Sequence, residues 1–325
     1  MARGKPLLLT PGMKTAQRVA FVTVAATLVL IMVGVIVRAT SSGLGCPDWP
    51  LCHGGAVPPG QKHSLIEFSH RFTAMIVGFL VIGTAVLAWK TYRHAPLTVW
   101  AATIAVPMVG FQGILGAITV KRELPAEVVA THLVTAMLVL SIELFVALSM
   151  YLEDPDHSKS ALVRVGRQIS VTGRLAVGAA AYLATLMWVG AYMAESGAST
   201  ACKGWPACNG SILPANNGHE ITHMLHRYLA AGFIFLLVPF IISAWKRRGD
   251  LPAARYLAIA AGVLYISQVT VGAFNVWFTF PDILTVTHTA IATLVWSVLS
   301  TAAIISFYVP QHERHRYRAR AEAPA

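Results

Sequence analysis

Long apolar stretches separated by short polar ones recur eight times along the chain, at about 17–38, 65–89, 97–120, 126–151, 172–194, 220–245, 253–278 and 283–308. Each is long enough to cross a hydrocarbon layer of about 30 Å as a helix. The pattern predicts an all-α integral membrane protein with eight transmembrane helices and little material left for a soluble domain. The first run is long for the apolar region of a removable signal peptide. It also has a counterpart in the fifth run, where Arg174 and Gly190 match Arg18 and Gly34, so it reads as a span.

The runs fall into two halves that repeat without a gap. Cys46, Trp49, Pro50 and Cys52 recur as Cys202, Trp205, Pro206 and Cys208, and His70-Arg71 recurs as His226-Arg227. Gln112 and Gly116 recur as Gln268 and Gly272, and His132 recurs as His288, every pair 156 positions apart. Four spans per half is an even number, so both halves enter the membrane from the same side. The expected architecture is two parallel-repeat four-helix bundles, over 17–151 and 172–308, unlike the inverted repeats of many transporters. A polar stretch at 152–171, with Glu153, Asp154, Pro155 and Asp156, is the linker between them, and 1–16 and 309–325 are the two ends.

Composition agrees, with 56% hydrophobic and 12% charged residues and a mean hydropathy of +0.62, well outside a soluble domain. The formal net charge of +11 raises the question of nucleic acid, and the placement of the charge answers it. Arg3, Lys5, Lys14 and Arg18 precede the first span, Lys90 and Arg93 follow the second, and Lys159, Arg164, Arg167 and Arg174 lie between the fourth and fifth. Lys246, Arg247, Arg248 and Arg255 lie between the sixth and seventh, and Arg314, Arg316, Arg318 and Arg320 close the tail. The opposite loops carry only Arg38, Lys62, Lys121, Arg122 and Lys203. By the positive-inside rule both ends are cytoplasmic, and no nucleic-acid partner is called for.

All four cysteines then fall in the two long outer loops, Cys46–Cys52 and Cys202–Cys208. An even count on the oxidising face fits one disulfide per loop, although four cysteines allow three connectivities. Zinc is disfavoured, because the spacing is not C-x-x-C and His53 has no counterpart at Asn209. Two roles stand open: a staple that holds each loop as a lid, or a redox-active pair that is exposed and strained.

His70 and His132 lie a turn or two inside the outer ends of the second and fourth spans, at similar depth. Spans two and four face each other diagonally in an up-down bundle, and two imidazoles at one level suit the axial positions of a haem. His226 and His288 repeat the arrangement. A single such histidine is often interhelical glue, whereas four at duplicated positions point to ligand sites. A bare metal ion lacks conspicuous extra ligands at the second site. Gln112 and Gln268 lie near the same level, either facing the sites or bonding helix to helix beside Gly113, Gly116 and Gly272. Arg71 and Arg227 read either as partners for haem propionates or as snorkelling interfacial residues.

One difference between the halves stands out. Glu67 lies three residues before His70, on the same helix face, and its counterpart is His223. A haem that only carries electrons does not need a carboxylate, whereas oxidation of a bound substrate uses one for proton transfer or charge stabilisation. The plain alternative is a helix-start glutamate favoured by the helix dipole, as Glu220 is read. His223 reads as a spare polar contact or as an alternative ligand a turn above His226.

In Glu67-Phe-Ser-His70-Arg71, in Gln112-Gly-Ile-Leu-Gly116 followed by His132, and in His226, Gln268 and His288, the chain resembles the haem A synthase family over nearly its whole length. The paired-cysteine loops resemble the bacterial form with cysteines in both. The resemblance implies an eight-helix enzyme of the cell membrane that oxidises the C8 methyl of haem O to a formyl group, giving haem A for terminal oxidases. It implies a permanent haem b cofactor on His226 and His288, and a substrate haem between His70 and His132. It also implies Glu67 as the essential carboxylate and Cys46–Cys52 as the disulfide nearest that site. Membrane lipid, an electron donor, a haem O synthase and oxidase assembly factors are the partners it implies. The rival from another class is a two-haem b-type electron-transfer protein without substrate chemistry, for which Glu67 would be dispensable. A transporter finds little support without broken-helix signals.

Overall fold

The computed structural model describes residues 11–152, 170–246 and 252–308. Eight helices in this range are long and apolar enough to cross a membrane. They are α1 (Pro11–Ala39), α2 (Lys62–Thr91), α3 (Pro96–Lys121), α4 (Ala126–Leu152), α5 (Val171–Glu195), α6 (Gly218–Lys246), α7 (Pro252–Trp277) and α8 (Asp282–Tyr308). Each covers one predicted run, and most extend a residue or more beyond it, because a spanning backbone keeps its hydrogen bonds until water can replace them. The expected linker lies outside the described residues except for Leu152, Ser170 and Val171, and so do most of the N-terminal segment and the whole basic tail.

Punctuation at the helix ends follows local chemistry. Pro11, Pro96 and Pro252 open α1, α3 and α7, where a missing N–H costs nothing. Ser170 caps α5 by accepting from the Gly173 N–H at 3.1 Å, and Asn217 caps α6 by accepting from His219. α6 differs from the continuous span expected, being divided at Phe233 into Gly218–Gly232 and Ile234–Lys246. Pro239 lies in the second segment and cannot donate to the carbonyl a turn earlier. At Gly232 a Cβ would come within 2.6 Å of the Tyr182 hydroxyl.

In the first half α1 packs on α2, α2 on α3, α3 on α4 and α4 on α1, and α5–α8 close the same ring. The second and fourth helices of each ring are therefore diagonal, which fits the two bundles expected. Between the halves, α4 packs on α5 and α8, and α1 on α8, and one continuous core draws on both, including Met137, Leu140, Phe233, Phe240 and Leu299. Polar ties cross the same seam. Trp296 donates to Ser141 at 2.8 Å, Trp188 donates to Thr131 at 3.1 Å, and Arg38 pairs with Glu195.

The repeat extends to individual backbone conformations. Trp49-Pro50 and Trp205-Pro206 are both cis, and His53/Asn209, Glu123/Thr279 and Leu124/Phe280 share positive φ. Cys52 bridges Gly55 as Cys208 bridges Ser211, and these isolated bridges are the only β pairing among the described residues.

Candidate functional site

The four histidines are set by glycines on neighbouring helices. A Cβ on Gly34 of α1 would lie 2.9 Å from Cε1 of His70, and one on Gly190 of α5 would lie 2.8 Å from Cε1 of His226. Likewise, a Cβ on Gly116 of α3 would lie 3.7 Å from His132, and one on Gly272 of α7 would lie 3.1 Å from His288. The rings of His70, His226 and His288 thus occupy space that a side chain on the facing glycine would crowd, whereas at Gly116 a Cβ would only touch His132. The repeated glycines, legible in the sequence only as small residues between helices, are shelves for the rings.

Gln268 places its amide nitrogen 3.1 Å from His288 Nε2. Gln112, in the orientation that satisfies both its polar atoms, places its nitrogen 3.0 Å from His132 Nδ1 and accepts from the Ala136 N–H at 3.0 Å. Both glutamines therefore reach the histidine on the next helix of their own half. The Nδ1 atoms of His70, His226 and His288 are buried without a hydrogen-bond partner, an arrangement that a metal bond or a ligand would resolve.

The rings of His226 and His288 lie 6.5 Å apart, centroid to centroid. Two metal–nitrogen bonds of about 2 Å each, together with the ring radii, span a similar distance. The second pair therefore fits a single six-coordinate iron between its imidazoles. No group of three or more His, Cys, Asp or Glu that could hold a bare metal ion exists among the described residues.

The structure pairs Cys46 with Cys52 and Cys202 with Cys208. All four cysteines are at most 2% exposed, so the exposure that a redox-active pair requires is absent and the staple is favoured. Each loop is latched by the arginine next to a histidine. Arg71 donates to the carbonyls of Asp48 (2.6 Å), Cys46 (2.9 Å) and Leu51, and pairs with Glu67. Arg227 donates to the carbonyls of Gly204 (2.8 Å), Pro206 (3.0 Å) and Ala207 (3.1 Å). In this structure both guanidinium groups are committed to loop carbonyls rather than free for a propionate.

The Glu67/His223 exchange is built into that latch. Glu67 is 3% exposed, and its Oε2 accepts from the Cys46 N–H at 2.7 Å while Oε1 meets Arg71. His223 takes the same place with a neutral ring, its Nε2 2.9 Å from Arg227 and its Nδ1 3.1 Å from the Ala198 carbonyl. His223 is thus an arginine partner and not a spare ligand. Only the first latch carries a negative charge, directly bonded to the cysteine loop. Elsewhere in that loop, the N–H groups of Gly54 and His53 bond the Asp48 carboxylate and hold its pKa below the usual value, the Gly54 bond contributing most.

A second asymmetry was not read from the sequence. Against the first cysteine loop, Trp49, Ile114, Ala117, Ile118, Lys121 and Arg122 line an open cleft of about 310 Å³. The counterparts of Trp49, Ile118, Lys121 and Arg122 are Trp205, Phe274, Trp277 and Phe278. These close on one another, with Trp205 and Trp277 edge to face at 6.0 Å and Phe274 against Trp277 and Phe278 at 5.9 and 6.0 Å. Pairing the halves position by position would have exposed this exchange of two cations for two aromatics.

Replacing Arg71 with Lys tests the latch, because a single ammonium cannot span three carbonyls and a carboxylate. Loss of even one charged hydrogen bond, about 1.5–3 kcal/mol, should speed reduction of Cys46–Cys52 by roughly tenfold or more. Cys202–Cys208 in the same molecules should keep its rate, and mass mapping of alkylated cysteines reads both.

A heme A synthase of Symbiobacterium thermophilum is 32% identical over 309 residues, 89% of this chain and 94% of its own length. One of Shouchella clausii is 32% identical over 266 residues (80% and 86%), and one of Alkalihalophilus pseudofirmus 28% over 288 (87% and 95%). The model of the cytochrome oxidase assembly protein family COX15-CtaA matches residues 17–300, from the first span to the last. The duplicated bundles thus belong to a recognised lineage, and the chain is a member of the COX15-CtaA family.

Proposed function

We propose that this membrane protein is a haem A synthase, which oxidises the C8 methyl of haem O to a formyl group for use in terminal oxidases. The observation that carries the reading is that two histidine pairs of one design sit in different surroundings. In the second half an aromatic cluster fills the place of the cleft and the latch is neutral, suited to a group that stays. In the first half an open cleft rimmed by Lys121 and Arg122 adjoins the cysteine loop, whose latch carries a carboxylate, suited to an anionic substrate that comes and goes. The names of the relatives point the same way.

In this reading His226 and His288 would hold a permanent haem b, which would supply electron transfer when bound. His70 and His132 hold the substrate haem, with Gln112 fixing the His132 ring and Gly34 and Gly116 leaving room for both imidazoles. The disulfide loop, drawn down by Arg71, covers the site and limits water. Two successive hydroxylations, each a two-electron oxidation of the carbon by dioxygen or by an electron acceptor with water supplying the oxygen, would convert the methyl first to an alcohol and then to a geminal diol, which loses water to the aldehyde. Glu67 supplies a fixed negative charge near the carbon that becomes electron-poor. Each of its oxygens keeps a second lone pair to accept a proton. The domains follow: 17–151 is the substrate bundle and 172–308 the haem b bundle.

The protein lies in the cell membrane with both ends in the cytoplasm and the cysteine loops outside. Among described residues, Lys14, Arg18, Lys90, Arg93, Arg174, Lys246 and Arg255 lie at the cytoplasmic ends, as the positive-inside rule asks. Haem O and lipid are its partners, with an electron donor, a haem O synthase and oxidase assembly factors as expected neighbours.

Impermeant thiol reagents on intact cells should label Cys46, Cys52, Cys202 and Cys208 only after an impermeant reductant is added. Labelling that requires lysed cells would reverse the topology.

Ligation is read from spectra of the purified protein. His226→Ala or His288→Ala should abolish the low-spin b-type signal, whereas His70→Ala or His132→Ala should leave most of it. Equal loss in all four variants would remove the division into permanent and substrate sites.

The functional test is haem extraction and mass analysis from cells that supply haem O. Glu67→Gln should retain the haem b spectrum while conversion falls at least about 100-fold, within the range of a lost acid–base group, with haem O or its alcohol retained. Haem A formed at the normal rate by Glu67→Gln would remove the carboxylate from the chemistry. If the unmodified protein forms no haem A and holds two permanent haems, the electron-transfer reading is correct.

A further inference from the structure

The first bundle contains one more buried carboxylate, Glu143 of α4, and nothing in the site described above uses it. It is 4% exposed, and the Thr27 hydroxyl is the one group near enough to bond its carboxylate. It lies eleven residues beyond His132, about 16 Å further along α4 toward the inner face. A carboxylate charge at that depth, with one hydroxyl and no cation beside it, is strongly disfavoured, so the group is satisfied by a proton or a bound ligand.

Its surroundings are polar in this bundle alone. The hydroxyls of Thr23 and Thr84 lie 2.9 Å apart across α1 and α2. Thr27 lies within reach of Glu143, and its buried hydroxyl has no other partner. Glu143, Thr23 and Thr84 line a cavity of about 10 Å³, otherwise walled by alanine and valine from α1 to α4. That is about the space needed for the centre of one water, and three polar side chains are enough to hold it. No other titratable side chain lines the cavity.

The second bundle is an internal control. The counterparts of Thr23, Thr27, Thr84 and Glu143 are Ala179, Leu183, Phe240 and Leu299, all buried in the apolar core. Packing of this fold is thus met by apolar residues at all four positions, and the polar set is an addition to the substrate-side bundle. Nearer the inner end, Gln17 donates to the Tyr92 hydroxyl (3.1 Å) and to the Met150 carbonyl (2.8 Å), which continues the polar line along α1.

We propose that Glu143 is a proton-exchange site. It is held as a neutral acid against one internal water and exchanges its proton with the inner aqueous phase along Thr23, Thr84 and Gln17. The O–H bond of the acid breaks to the water, leaving a carboxylate and a hydronium, and reforms from a proton arriving by the same hydroxyls. Supply of protons to the first histidine pair during haem O oxidation rests on the function proposed above, whereas the exchange site itself does not.

Infrared spectra of the full-length protein in lipid, in H2O and D2O, test the site without reference to turnover. A protonated-carboxyl band should be present, shift in D2O and vanish in both Glu143→Leu and Glu143→Gln, while Glu67→Gln retains it. Glu143→Leu installs the residue of the second bundle and should keep the haem b spectrum and thermal midpoint, and Glu143→Gln covers the case in which it does not fold. Thr23→Val combined with Thr84→Val should slow the deuterium shift by roughly tenfold or more. Absence of the band, its survival in both Glu143 variants, or an unchanged exchange rate in the threonine variant overturns the proposal. Haem A formed at the normal rate by Glu143→Leu would deny the supply role while leaving the haem A synthase reading intact.

Discussion

Arg71 and Arg227 draw the two cysteine loops onto the helices that carry His70 and His226, and the outer end of each bundle depends on that contact. A guanidinium is the one side chain with enough donors, in a fixed fork, to serve several carbonyls at once while sitting at the edge of a membrane. The disulfide shortens the loop so that its carbonyls converge, and the arginine gives them a common partner. Because the arginine immediately follows the histidine, the loop that covers a site and the ligand within it share one helical turn.

The latch also explains how two copies of one design diverge. Each needs an acceptor one turn before the arginine, and either a carboxylate or a neutral imidazole meets that need. The choice leaves the latch closed in both halves but gives only the first a negative charge. Further differences follow the same division. Lys121 and Arg122 keep a cleft open where Trp277 and Phe278 close it, and Glu143 with its threonines introduces polarity where Leu299 and its neighbours fill space. Polar groups in a bilayer interior have no water to satisfy them, so these additions fall at positions where the apolar copy shows that packing alone would be content.

The glycines set against the imidazoles supply the remaining constraint. Helix axes in a bundle approach closely only where side chains are small, and here the space left by hydrogen at Gly34, Gly116, Gly190 and Gly272 is taken by a ring from the next helix. Ring position is therefore fixed by backbone as much as by hydrogen bonding. This accounts for glutamines that reach only the fourth-helix histidine of each half.

The sequence by itself determined the eight spans, the duplication and the pairing of the histidines. Apolar run length reports directly on what must cross hydrocarbon, and an ungapped offset leaves no freedom in matching residues. The Glu67/His223 exchange was legible for the same reason. What Glu67 touches was not, because an i, i+3 relation to His70 fixes a helix face and says nothing about a loop folding down on it from 21 residues away. The break of α6 at Phe233 was also hidden, since hydropathy is blind to a local turn inside an apolar run. Glu143 escaped notice because one acidic residue barely lowers the hydropathy of its span. Only the tertiary structure, which packs four helices around that carboxylate and brings only hydroxyls near it, decided that it is buried with no charged partner.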